Sequence, residues 1–122
     1  MSIKNSLIAA GLFFLLSMPI FASETFIKGV KVTKNSANNY SFSVTLKHAD
    51  KSWDHYANVW QVETLDGQVL GKRVLQHPHV NEQPFTRSLG SVTIDKGIKQ
   101  VVITAGCNVD GMNSKKYSVK LK

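Results

Sequence analysis

Between Tyr40 and Lys47 the chain alternates without a fault. Tyr40, Phe42, Val44 and Leu46 are apolar; Ser41, Ser43, Thr45 and Lys47 are polar. A period of two puts successive side chains on opposite faces of an extended strand, one face toward a core and one toward water. A helix built from the same residues would scatter its apolar side chains around the axis, so this stretch commits the chain to sheet. The pattern recurs in weaker form. Strands are expected at 26–33, 56–64, 69–75, 86–94, 98–105 and 116–121, which with 40–47 makes about seven. Turn-forming clusters separate them: Asn35 to Asn39, Asp66-Gly67, and Asp95-Lys96-Gly97. Asp-Gly suits a tight hairpin, because such turns need positive φ. The segment from Gln76 to Phe85 holds two prolines and reads as an irregular loop. No helical periodicity follows the N-terminal segment. The expected architecture is all-β, an immunoglobulin-like antiparallel β-sandwich.

The N-terminal residues have targeting chemistry. Lys4 is followed by a mostly apolar run from Leu7 to Ile20, and Phe21-Ala22 ends it with a small residue. Residues 1–22 are therefore read as a signal peptide and 23–122 as one small domain, exported to the periplasm or beyond. The apolar run is short for a membrane span. No cysteine stands at the cleavage point, which argues against a lipid anchor. The chain carries 15 basic and 8 acidic residues; without Lys4 the balance is 14 against 8, or +6. Its lysines are mostly single and interleaved with apolar positions, as on solvated strand faces, so a nucleic-acid groove is not indicated.

Topology turns scattered polar residues into a candidate site. If consecutive strands run up and down, His48 ends one strand and His55 begins the next at the same pole. His77 and His79 follow a strand that climbs back there, and Cys107 and Asp110 end another. Cys107 continues the face of Val101, Ile103 and Ala105. Imidazole, thiolate and carboxylate are the main transition-metal ligands of proteins. His77 and His79, at i and i+2 around Pro78, point to one side in an extended segment. The candidate metal ligands are thus His48, His55, His77, His79, Cys107 and Asp110, with Glu82 and Arg87 as an ion pair shaping the rim. Each has a plainer reading beside it. Strand-end histidines can bond to loop backbone, His77-Pro78-His79 can be a solvated loop, Asp110-Gly111 can be a turn, and a lone cysteine can be a small apolar core residue.

His48, then His55-Tyr56, then Trp60-Gln61-Val62 with an Asp-Gly turn, then Cys107-Asn108-Val109-Asp110-Gly111, resemble the iron domain of the desulfoferrodoxin and superoxide reductase family. The resemblance implies an immunoglobulin-like sandwich and a ferrous iron held by four imidazoles and an axial thiolate, with superoxide reduced at the open position. Carried over residue by residue, His48 and His55 match the paired loop histidines and Cys107 the thiolate. Asp110 stands where the family has its last histidine, and no histidine precedes residue 40 to match its early ligand. A second resemblance rests on His77-Pro-His-Val-Asn-Glu-Gln-Pro-Phe-Thr-Arg87, shared with a set of small exported bacterial proteins, and implies no activity.

Two functions follow as expectations. The first is an exported metal-binding domain with iron or copper at a His/Cys site, redox-active toward superoxide or a redox partner. The second is a non-catalytic binding or accessory domain that kept the sandwich and lost the metal. A blue-copper arrangement with Met112 ranks lower, since no histidine lies between Cys107 and Met112 or after them. No nucleophile elbow, phosphate-binding glycine loop or zinc-finger spacing is present.

Overall fold

The computed structural model describes residues 24–122. The expected signal peptide lies outside the described residues. Eight strands follow in order: β1 Phe26–Ser36, β2 Asn39–Lys47, β3 Ala57–Glu63, β4 Val69–Val74, β5 Phe85–Thr93, β6 Gln100–Cys107, β7 Gly111–Met112 and β8 Tyr117–Lys120. They form two antiparallel sheets, one ordered β1-β2-β5 and the other β4-β3-β6, with β7 and β8 also paired to β6.

The count of eight against seven has a local cause. β7 pairs with Gly106 and Cys107 at one end of β6, and β8 pairs with residues from Gln100 to Ile103 at the other. Together they act as one strand interrupted at residues 113–116. In the gap the Ser114 hydroxyl accepts the Ala105 N–H at 2.9 Å, while the amides of Asn113 and Ser114 both donate to the Ala105 carbonyl. A side chain thus replaces part of the ladder and frees the chain to bend.

The core lies between the sheets. Tyr40, Phe42, Val44 and Leu46 of β2 are buried, as their alternation requires, and face Trp60 and Val62 of β3 and Val101, Ile103 and Ala105 of β6. Each large side chain so buried contributes about 1.5–3 kcal/mol. The opposite face of β2 is joined to β5 by hydroxyl pairs, Ser43 with Ser88 and Thr45 with Thr86, each at 2.7 Å. Such cross-strand pairs fix register on the solvent side. At the Asp66-Gly67 turn only Gly67 takes positive φ, at 95°. The tight hairpin is therefore replaced by a longer loop in which the Thr64 carbonyl accepts from Gly67 and the Thr64 amide donates to Gln68.

Register places one pole where the chain alternation predicts it. Leu46 opposes Phe85, and Ala57 opposes Cys107. The end of β2, the starts of β3 and β5 and the end of β6 therefore meet at one end of the molecule. Residues 48–56 and 75–84 span that end.

Candidate metal centre

His48 follows directly on β2 and is almost wholly buried. Its Nδ1 lies 2.6 Å from Oδ1 of Asp50, itself buried. An ionised carboxylate only accepts, so Nδ1 is the donor of this contact and Nε2 is the ring nitrogen left for another partner. That Nε2 is buried and has no hydrogen-bond partner among the described residues. Leaving such an atom unpaired costs about 1–3 kcal/mol.

Two further donors stand beside it. The His55 ring packs edge-on against His48 with centroids 5.0 Å apart. Its Nε2 is 3.6 Å from Sγ of Cys107, at the end of β6. Ligand atoms of His48, His55 and Cys107 all lie within 4.8 Å of one another. Transition-metal ions sit about 2.0–2.1 Å from imidazole nitrogen and about 2.3 Å from thiolate sulfur, so a nitrogen and a sulfur facing each other across an ion stand about 4.4 Å apart, and donors in a three- or four-fold arrangement stand closer. Binding such an ion requires the donors to draw inward from that 4.8 Å span, while His55 Nε2 and Cys107 Sγ, 3.6 Å apart, already stand at a ligand-to-ligand distance. The orphaned Nε2 of His48 supports the fit, since coordination would give it the partner it lacks.

The loop after β6 folds around the sulfur. The Asp110 amide donates to Sγ at 3.4 Å, the Asn113 side-chain amide approaches it at 3.8 Å, and an Asp110 carboxylate oxygen lies 3.8 Å away. Asn108 locks this loop to the 51–56 loop. Its Oδ1 accepts the Tyr56 N–H, and its Nδ2 donates to the carbonyls of Trp53 and Asp54. Gly106 allows the close approach: a Cβ there would lie 2.2 Å from the Gly111 carbonyl oxygen.

The other expected ligands reach the same pole without joining the triad. His79 is buried, its ring stacked on Phe85 with centroids 3.9 Å apart and planes 10° from parallel. Exposed His77 packs against it at 4.6 Å. Neither belongs to the group of mutually close ligand atoms formed by His48, His55 and Cys107. Burial, reinforced by the Arg87 guanidinium and His77, holds the His79 imidazole below its ordinary pKa of 6.5. Glu82 and Arg87 form the expected rim ion pair at 3.3 Å, on the surface. Phe85, the first residue of β5, is buried in the core at this end.

Two residues escaped the sequence reading. Asp50 accepts hydrogen bonds from His48 Nδ1, from the Ala57 N–H at 2.9 Å and from the His79 N–H at 2.8 Å. Gln83 accepts the His48 N–H at 3.0 Å and donates to the His79 carbonyl at 2.8 Å. The one available signal for Asp50 was its place two residues after His48 in a loop with several polar residues. Nothing local marks Gln83.

No family profile matches the chain, and no solved structure matches it. A relative from Halomicrobium mukohataei, named "Putative lipoprotein", is 47% identical over 76 residues, which is 61% of this chain and 37% of that protein. The chain therefore spans well under half the length of the relative it matches.

Proposed function

We propose that this chain is an exported metal-binding domain whose centre is His48 Nε2, His55 Nε2 and Cys107 Sγ, with Asp110 beside the sulfur. The observation that carries this reading is the fully buried imidazole of His48, held by Asp50 through Nδ1 with Nε2 unpaired, in a cluster of close ligand atoms with His55 and Cys107. Two imidazoles and one thiolate suit copper best among the available metals, with iron second. The four-imidazole set of the superoxide reductase family is not what gathers here, since two imidazoles rather than four group with the sulfur. When bound, such an ion would supply one-electron redox chemistry, or Lewis acidity toward a small anion such as superoxide.

The protein's own groups have definable tasks. His48 is a preoriented donor in a dry setting. His55, half-buried, forms the outer side of the site. The Asp110 main-chain amide and the Asn113 side-chain amide direct donors at the sulfur and hold the loop around it. Pairing β1-β2-β5 against β4-β3-β6-β8 supports an immunoglobulin-like arrangement. Export is supported by the charged and apolar N-terminal segment and by the name of the Halomicrobium relative. No helix among the described residues is long and apolar enough to cross a membrane.

One observation favours the second reading, a non-catalytic accessory domain. Cys107 already has four polar neighbours, so the fold can satisfy its thiol without an ion. Absorption spectroscopy separates the two. Protein loaded with cupric or ferrous ion should show a thiolate-to-metal charge-transfer band that Cys107→Ser abolishes. An identical spectrum in the variant, or no binding of either ion by dialysis at neutral pH, rejects the metal reading.

A further inference from the structure

We propose that Asp50 is the positioning residue of this centre, and that its two carboxylate oxygens couple the ligand His48 to the loop His77–Pro84. The inference rests on the metal-binding reading and extends it to how the site is held and what its occupancy does. Oδ1 takes the His48 ring proton and the Ala57 amide; Oδ2 takes the His79 amide. One buried carboxylate therefore joins a ligand ring, the first residue of β3 and the middle of the loop. Asp50 engages Nδ1, fixes the orientation of the His48 ring and leaves Nε2 for the centre, as outer carboxylates do for metal-binding histidines.

Gln83 is a second strap between the same partners, spanning the His48 amide and the His79 carbonyl. The loop is thus fastened to His48 through both its side chain and its main chain. It ends in Phe85, on which the His79 ring stacks. Of the shared His77–Arg87 sequence, His79 and Gln83 thereby gain a role that no ligand set required. The His79 amide holds the carboxylate that holds the ligand, and Gln83 ties His79 to the His48 main chain. The order of the loop and the affinity of the centre must then change together, by the same factor in both directions.

The test uses cuprous ion under reducing conditions, competed with a chelator, and amide hydrogen exchange of the full exported domain. Copper should slow exchange at His79 and Val80 in the wild type. Asp50→Asn keeps an acceptor for the ring but sets a donor against the His79 amide. It should weaken copper binding about 10- to 100-fold and shift the cupric charge-transfer band. Gln83→Ala removes no proposed ligand atom and leaves Asp50 intact, while releasing the His48 main-chain amide and the His79 carbonyl. It should speed loop exchange and lower copper affinity by matching factors, and it stands as the test if Asp50→Asn fails to fold. Copper bound normally by either folded variant, or loop exchange indifferent to copper in the wild type, overturns the coupling alone. No copper bound by the wild type overturns the coupling and the metal reading together.

Discussion

Oδ1 of Asp50 stands 2.6 Å from Nδ1 of His48, with both side chains fully withdrawn from solvent. A short charge-assisted contact of this kind is stronger than a neutral one, and its loss exposes two buried groups at once. It defines what each residue around the centre should cost when removed.

His48→Ala and His55→Ala should separate stability from binding. The first removes a buried ring and one of the three donors on Asp50, and should cost about 3 kcal/mol or more. The second removes a half-buried ring and should cost about 1 kcal/mol or less. Both should abolish tight copper binding. Urea unfolding and copper titration on the same samples check the pair; equal destabilisation by the two would contradict the geometry.

Gly106→Ala should be among the most damaging single substitutions. Its Cβ would meet the backbone of Gly111 and Met112, which cannot give as a side chain can. The pairing of β6 with β7 would open, and with it the loop around Cys107, at about 3 kcal/mol or more. Gly71→Ala is the comparison. Its new methyl meets only side-chain atoms of Leu89 and Val92, which can shift, so about 1 kcal/mol is expected. Thermal unfolding of both variants should rank them in that order.

Acidity should weaken the metal-free fold through His79. Burial, then Arg87 and His77, lower its pKa in the folded state, so the unfolded chain takes up the proton first. Stability is full above the ordinary 6.5 and falls as pH drops below it, until the folded-state pKa is passed and the slope vanishes. His79→Phe keeps a ring against Phe85 and removes the titration. Unfolding free energies measured between about pH 7.5 and 5 should fall less in the variant than in the wild type; parallel profiles would assign the pH dependence elsewhere.

Phe85→Ala should loosen the pole from beneath. The ring is buried in the core and supports His79. Its removal should cost about 3–5 kcal/mol. It should also speed exchange at the His79 amide more than at amides of β1. Uniform acceleration across the domain would show that the loop has no separate dependence on this ring.

The alternation of Tyr40 to Leu46 and the turn clusters at 35–39 and 95–97 were enough to place the strands, because period two and turn chemistry are local properties of the chain. Up-and-down connectivity then carried His48, His55, His77, His79, Cys107 and Asp110 to one end, and the observed register agrees. What local pattern could not reveal is which of those six share a centre. That depends on ring rotation and loop path over distances of a few ångströms, and it separates His48, His55 and Cys107 from the tilted ring pair His77 and His79. Nor could it reveal Asp50 as the joint among them. A loop aspartate is ordinarily exposed; only the closing of residues 77–84 over it buries the carboxylate and supplies the third of its donors. Strand identity is written in neighbouring residues, whereas the site is made by side chains that meet only when the two sheets and their end loops have packed.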